Sequence, residues 1–371
     1  MATEAKRPEE GPLYREPYRS WAFREGIPVT TGYGVDLLSV DVRPWARIGA
    51  DGAFVHLDGR GDFIDVQIVE MAPGKQTDPQ KHLYEEVIYV LDGNGSTVVE
   101  TPDGQKRSVE WQTSSLLAIP LNARYTHYNG SGTKRARLAV VTDLPLMLNV
   151  LRSEPFIFDN PTPFPERYGA EQHFRGDGTF VPIKPGRNLW ETNFVPDLRT
   201  FELKQWSARG AGGSNMMFVL ADGTMHAHMS EMPVGTYKKG HRHGADFHVF
   251  AVTGQGYSIY WYEGDKDFQR FDWKHGGVFA PADRQFHQHF NTSAQPARYL
   301  AVAFGSLRYP TVADKLKTWL GMDVSVKEGG RQIEYEDEDP RILRMYEDEL
   351  GKRGIPSKMG EVLKTPATST R

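Results

Sequence analysis

The second half of this 371-residue chain is rich in one metal-binding residue type. Eight of its 12 histidines fall within a single short segment, far more than an even spread would place there. Imidazole nitrogen binds most first-row divalent metals. The chain has no cysteine, which excludes disulfides, thiolate nucleophiles and cysteine metal sites. The clustered residues are His226, His228, His241, His243, His248, His275, His287 and His289.

Two pairs of these histidines are spaced two residues apart, His241 with His243 and His287 with His289. Residues two apart share one face of a strand, so two adjacent strands would bring three or four imidazoles to one point. This predicts a divalent metal site among these four histidines. A ligand set without carboxylate favours Fe(II), with Ni, Zn, Cu and Mn as alternatives. His289 is a fourth ligand, a packed residue or, as we favour, a catalytic proton carrier.

A long internal repeat organises the chain. Identical residues recur at an offset of 161, as Trp45 with Trp206 and Gly93 with Gly254 do. After Pro120 and Pro281 the predicted offset is 162, which aligns Asn129 with Asn291 and Ala139 with Ala301. Other pairs at 161 are Asp36 with Asp197, Leu37 with Leu198, Gly49 with Gly210, and Gly74 with Gly235.

Each repeat reads as a series of short strands, rich in Val, Ile, Tyr and Phe and separated by Gly, Asp, Asn or Pro. This predicts an all-β sandwich or barrel for each unit. Helical spacing appears only past about residue 310, in 311–322 and in 340–354, where Pro340 follows an acidic run expected to be a solvated face. The expected organisation is an N-terminal arm (1–34), a first domain (35–150), an ordered linker (151–190), a second domain (191–308) and a helical C-terminal extension (309–371).

The second unit resembles the cupins, and the whole chain resembles the two-domain bicupins. Gly235, His241, His243 and Gly254 match the first cupin motif, and the run from Pro281 through His287 to Asn291 matches the second with one inserted residue. The resemblance implies two tandem double-stranded β-helix, or jelly-roll, barrels.

The second unit departs from the cupin pattern at one ligand. Phe247 stands where the motif has a glutamate, and Asp246 beside it belongs to the other face of the strand. The resemblance then implies a three-histidine metal site on His241, His243 and His287, as in thiol, diketone and gentisate or salicylate 1,2-dioxygenases. The run 284–291, RQFHQHFN, is similar to the second motif of gentisate dioxygenases, although those enzymes carry their working site in the first cupin.

The first unit carries a degenerate version of the same positions. Gln80 matches the first histidine, His82 the second, Glu86 the carboxylate and Tyr125 the last histidine, with His127 two residues further on. An amide in place of an imidazole lowers affinity for late transition metals. These five residues form a candidate second site, which we expect to be structural or to bind a polar ligand.

Several nearby residues have two interpretations each. His226 and His228 lie on the pocket wall or on the surface, whereas strand parity directs His248 and Arg242 away from the metal ligands. Lys238 and Lys239 suggest a solvated turn, although a cation near the mouth of the pocket would help to bind a carboxylate substrate. The remaining candidates line an apolar pocket or belong to the ordinary core; they are Phe247, Phe286, Trp261, Tyr257 and Met229.

The sequence predicts a metal-dependent enzyme, an Fe(II) dioxygenase acting on a small chelating substrate of aromatic or hydroxy-carboxylate type. The alternatives are a non-oxidative hydrolase, lyase or isomerase that uses Zn, Mn or Ni, and a non-catalytic ligand-binding bicupin. With 44 Lys and Arg against 48 Asp and Glu, nothing indicates a nucleic acid or membrane partner. Without a signal-peptide pattern we expect a cytoplasmic protein, and the aromatic arm and helical tail suggest a homo-oligomer.

Overall fold

The computed structural model describes residues 2–3, 7–244, 246–306, 308–309 and 321–363. Most of the helix predicted over 311–322 therefore lies outside the described residues. The strands are β1 (Ala2–Thr3), β2 (Val29–Gly32), β3 (Gly34–Asp36), β4 (Arg43–Trp45), β5 (Ala50–Leu57), β6 (Asp65–Met71), β7 (Glu86–Asp92), β8 (Asn94–Glu100), β9 (Lys106–Gln112), β10 (Leu116–Ile119), β11 (Arg124–Asn129), β12 (Ala136–Thr142), β13 (Thr179–Lys184), β14 (Arg187–Thr192), β15 (Phe194–Val195), β16 (Lys204–Gln205), β17 (Ser214–Leu220), β18 (His226–Met232), β19 (Phe247–Thr253), β20 (Gln255–Trp261), β21 (Gln269–Lys274), β22 (Gly277–Phe279), β23 (Phe286–Asn291) and β24 (Ala297–Ala303). The α-helices are α1 (Pro17–Glu25), α2 (Leu144–Leu151), α3 (Glu154–Phe158), α4 (Pro340–Lys352) and α5 (Met359–Val362). Among the described residues, no helix has the length and apolar character needed to cross a bilayer.

The fold is all-β and consists of two tandem β-barrels, each built from one large and one small sheet. The large sheet of the first barrel runs β1-β2-β5-β6-β12-β7-β10-β15, and β4 pairs with β5. Its counterpart in the second barrel runs β13-β14-β17-β18-β24-β19-β22-β3, and β16 pairs with β17. The small sheets are β11-β8-β9 and β21-β20-β23. The prediction of two duplicated β units is confirmed.

The strand register corrects one alignment made from sequence. Asn129 lies opposite Gly95, and Asn291 lies opposite Gly256, so the offset of 162 holds there. Ala139, however, pairs with Ile68 on β6, while the matching Met229 on β18 pairs with Leu300. The offset therefore returns to 161 in the last strand, because the turn before β24 is one residue shorter than the turn before β12.

The two barrels exchange edge strands. β3 pairs with β22 of the second barrel, and β15 pairs with β10 of the first. Each barrel thus closes its large sheet with a strand that lies close in sequence to the other barrel. β13 and β14, which the sequence assigned mainly to a linker, extend the second large sheet through the parallel pairing of β14 with β17.

The two large sheets pack against each other, so their strands are buried on both faces. Along β17, Phe218 and Leu220 join a core shared between the barrels, whereas Met217 and Val219 point into the second barrel. This explains why β7 and β17 are almost continuously apolar rather than alternating. Packing on both faces fixes the direction of every side chain on these strands.

Two carboxylates hold the barrels together in a reciprocal arrangement. Glu85 of the first barrel accepts hydrogen bonds from the backbone N–H groups of Thr224 and Met225, at 2.8 and 2.7 Å. Asp246 of the second barrel accepts bonds from Gly61 and Phe63 at 2.7 and 2.9 Å. The two acids are repeat equivalents, so the duplication has preserved a symmetric clamp.

The C-terminal segment packs on the second barrel. Asp339 caps α4 through a bond from the backbone N–H of Arg341, with Pro340 in the first turn as predicted. Tyr346 of α4 is buried against Phe290 on the outer face of β23. The acidic run 334–339 is not simply a solvated face, because Glu334 pairs with Lys239 and Glu338 accepts hydrogen bonds from Tyr237 and Gln288.

Candidate metal centre

Three histidines of the second barrel converge. His241 forms an isolated antiparallel bridge with His287, with backbone N–H···O bonds of 3.0 and 2.8 Å, and His243 follows two residues later. One ring nitrogen from each of the three lies within 4.8 Å of the other two. All three side chains are buried. His241 and His243 thus lie in the loop between β18 and β19 rather than in a regular strand, and the bridge to β23 brings them to one point with His287.

Backbone carbonyls orient all three rings. Nδ1 of His241 lies 3.1 Å from the carbonyl oxygen of Lys239, and Nδ1 of His287 lies 3.2 Å from that of Gln285. Nδ1 of His243 lies 2.9 Å from the carbonyl oxygen of Gly244. A carbonyl only accepts hydrogen bonds, so each Nδ1 carries the hydrogen and each Nε2 keeps a free lone pair. This is how metal-binding imidazoles are commonly oriented, and the donor set therefore fits a divalent metal.

The rings are neutral, as metal ligands must be. Burial lowers the pKa of His287 to about 3. Burial, together with the neighbouring Arg209 and the other imidazoles, lowers the pKa of His241 well below its ordinary value, and burial with His287 does the same for His243. No proton has to leave these rings before a cation binds.

The three histidines face a small cavity of about 20 Å³. No carboxylate is among its described lining residues, although five histidines and two arginines are. A divalent cation here would therefore add to an already positive site. The lining is Arg187, Trp206, Arg209, Asn215, Met217, His228, Ser230, His241, His243, Phe247, Val249, His287, His289, Tyr299, Ala301 and Met322.

Both arginines are buried and held in place. The guanidinium of Arg187 lies over the ring of Trp206, 4.5 Å from its centroid. Arg209 donates to the carbonyl oxygen of Met322 at 2.6 Å. Burial lowers the pKa of each to about 10, so both remain cationic at neutral pH. They supply positive charge on the cavity wall.

His289 lies in the cavity wall beside the three converging rings, and its ring centroid is 5.5 Å from that of His287. Its Nδ1 is 2.8 Å from Ser258 Oγ, which also accepts a bond from the indole N–H of Trp273 at 3.0 Å. Burial lowers the pKa of His289 well below its ordinary value, so the ring is neutral at rest. Ser258 and Trp273 fix its orientation, which suits a group that exchanges a proton with a bound molecule.

The structure places the other residues named from the sequence either in the cavity wall or away from it. Phe247 packs on His243 with centroids 3.8 Å apart, in the place of the cupin carboxylate. His228 lines the cavity, whereas His248 lies on the opposite face of β19, buried between the barrels. Lys238 is buried, so the expected solvated turn is wrong for it. Four aromatic and apolar candidates lie outside the cavity, in the cores or on the outer face: Met229, Tyr257, Trp261 and Phe286.

The matching positions of the first barrel form a closed network. Nε2 of His82 lies 3.0 Å from Tyr125 Oη, which donates to Glu86 at 2.6 Å. Gln80 donates to the backbone carbonyls of Arg47 and Asp78. His127 bonds to Thr97 at 2.7 Å, as His289 does to Ser258. The ring nitrogen that would face a metal is already partnered here.

Sequence reasoning missed the cationic wall. Arg209 occupies the repeat position of Ile48, which lines the equivalent cavity of the first barrel. Comparison of the repeats could have found this arginine, because a charged residue replaces an apolar one at an interior position. Arg187 and Met322 carried no such signal, since each comes from outside the aligned repeats.

No protein-family model matches the sequence, and no curated protein sequence matches it. Among solved structures, a variant of oxalate decarboxylase from Bacillus subtilis is 14% identical over 79% of this chain and 81% of that chain, with a TM-score of 0.48. Another oxalate decarboxylase structure from Bacillus subtilis, described for its Mn(II) centres, is 12% identical over 79% and 81%, with a TM-score of 0.46. A vicilin from hazelnut, Corylus avellana, is 10% identical over 73% and 85%, also with a TM-score of 0.46. The likeness to gentisate-type dioxygenases stays a prediction.

Proposed function

We propose that this protein is a metal-dependent enzyme, an Fe(II) dioxygenase whose substrate is a small anionic molecule able to chelate the metal. The observation that carries the proposal is the convergence of three buried, neutral imidazoles whose Nε2 lone pairs are free. Fe(II) is the metal we propose because the ligand set is nitrogen-rich and lacks carboxylate. Other divalent metals fit the same three nitrogens.

His241, His243 and His287 would hold the metal, and three protein ligands leave positions open for a substrate. A divalent iron bound there supplies Lewis acidity and a point at which substrate and dioxygen are held together. The cavity has no carboxylate in its described lining, and Arg187 and Arg209 add positive charge. An anionic substrate is therefore favoured over a neutral one. His289, fixed by Ser258, would accept or return a proton at its ring nitrogen.

The test is metal analysis followed by oxygen uptake. Protein purified without chelator and then loaded with Fe(II) is expected to bind one metal per chain and to consume oxygen with at least one member of a hydroxybenzoate panel. His287→Ala is the matched control and should do neither. Absence of both bound metal and oxygen uptake would contradict the proposal, and turnover under anaerobic conditions would replace it with a non-oxidative enzyme.

A further inference from the structure

Lys238 is a buried ammonium group that the proposed chemistry does not use. Its side chain is 1% exposed, and Nζ has no hydrogen-bond partner among the described residues. The repeat equivalent in the first barrel is Thr77, which lines the cavity there and accepts a hydrogen bond from the backbone N–H of His127. A partnered hydroxyl in one barrel is thus an unpartnered cation in the other.

Lys238 is not one of the residues that line the cavity, but its amine lies against the face of the chain that continues into the cavity wall. Nζ lies only 2.5 Å from the point where a Cβ of Gly213 would stand, so the glycine makes room for it. Residues 213, 215 and 217 share one face at the start of β17, and Asn215 and Met217 both line the cavity. Lys238 also bonds through its backbone N–H to the carbonyl of His289.

The charges around Lys238 leave it without a counter-ion. Arg209 is a second cation nearby and, after burial, is the next cause that lowers the pKa of Lys238, to about 7. Glu231 is the nearby acid, but its carboxylate is bonded to Arg298 at 2.7 Å. A buried cation without a partner is costly, so a ligand that brings a negative charge would stabilise the protonated form of Lys238.

A second polar atom on the same face also lacks a partner. Asn215 donates through Nδ2 to Met229 and Ser230, but its Oδ1 accepts no hydrogen bond from the described residues. Asn215 is two residues from Gly213, and in a strand this separates their Cα atoms by about 7 Å. The face therefore offers a donor to an anionic oxygen and an acceptor to a hydroxyl.

We propose that Lys238 is a specificity-determining residue that binds an anionic oxygen of the substrate, while Asn215 accepts a hydrogen bond from a hydroxyl of the same molecule. The inference rests on the proposed function and narrows the substrate class to hydroxy-carboxylates. Lys238 is a third point of attachment, separate from the metal ligands and the two arginines.

The experiment compares salicylate with salicylamide, which has nearly the same shape but no charge. Binding is measured by calorimetry on the full-length protein loaded with Zn(II). The wild-type protein is expected to bind salicylate at least 10-fold more tightly than salicylamide, and Lys238→Met to reduce this preference to less than threefold. Lys238→Met should keep one zinc per chain and an unchanged or higher Tm, because it removes an unpaired buried charge.

Lys239→Met is the matched control, since Lys239 pairs with Glu334 outside the cavity, and it should keep the full preference. Lys238→Gln serves as a second variant if the methionine protein is poorly soluble. The inference is overturned if the Lys238 variants keep the preference, if Lys239→Met loses it equally, or if neither compound binds wild-type protein. Zinc binding by these samples, and oxygen uptake by the same variants loaded with Fe(II), separate these failures from failure of the proposed function.

Discussion

The two barrels place equivalent residues around equivalent cavities, and only their polar partners differ. In the first barrel, Glu86 and Tyr125 bond to each other, and His82 lies within hydrogen-bond distance of Tyr125. In the second, the positions of Glu86 and Tyr125 are Phe247 and His287, so the imidazoles have no acid or hydroxyl of the described residues hydrogen-bonded to their Nε2 atoms. The first barrel thus satisfies its interior polar groups from within, whereas the second leaves three imidazoles that could bind an external cation.

The two cavities share one arrangement of orienting groups and differ at two other positions. His127 and His289 keep the same arrangement, each bonded to a Thr or Ser hydroxyl that also accepts an indole N–H. Conversely, Ile48 and Thr77 of the first barrel are replaced by Arg209 and Lys238 in the second. The proposed metal and anion site therefore differs from the cavity of the first barrel by few residues on a shared frame.

The largest effect is expected from removing a metal ligand in one barrel and its equivalent in the other. His241→Ala should lose about 3 kcal/mol of binding free energy, on the order of 100-fold or more in metal affinity, because each protein ligand carries a share of that energy. His82→Ala should retain one metal per chain. Competition with a chromogenic chelator measures both, and equal losses in the two variants would contradict the assignment.

The comparison can also be reversed by building the missing ligands into the first barrel. Gln80→His with Tyr125→His would give three imidazoles together with His82 and should raise the metal content from one to two per chain. The control pair, Gln80→His with Tyr125→Phe, offers one imidazole fewer and should stay at one. A metal content of one per chain in both double variants would show that the first barrel does not bind a metal even when it carries three imidazoles.

Metal removal should affect the stability of the whole protein through the second barrel. A ligand present at 100 to 1,000 times its Kd stabilises the folded state by about 3–4 kcal/mol. Excess Zn(II) is therefore expected to raise the Tm of wild-type protein by several degrees and to leave that of His243→Ala unchanged. Thermal unfolding by circular dichroism measures this, and a shift that persists in the variant would place the cation elsewhere.

A smaller effect is expected from opening the closed network of the first barrel. Burial raises the pKa of Glu86, but His82 and the bond from Tyr125 outweigh it, so the net pKa is lowered. The carboxylate thus stabilises the fold above the pKa of the unfolded chain, near 4.3, and this contribution is lost as the pH falls below it. Glu86→Gln should cost about 1–3 kcal/mol at neutral pH and flatten this acid dependence, without changing metal content.

Much of the fold and of the candidate site can be predicted from the sequence. The repeat and the alternation of short strands predict two β units, and the paired histidines predict which rings share a face. The exchanged strands β3 and β15 were not predictable, because a two- or three-residue strand carries no pattern that names its partner. Lys238 was misjudged for a related reason: a lysine in a turn sequence is normally exposed, and only the tertiary placement of Gly213 makes space to bury it.

The most direct test of the account is anomalous X-ray scattering from crystals of the iron-loaded protein. We expect one anomalous peak per chain at the iron edge, within bonding distance of Nε2 of His241, His243 and His287, and none in the first barrel. A peak among Glu86, His82 and Tyr125, or crystals that show no bound iron at the three histidines, would contradict it.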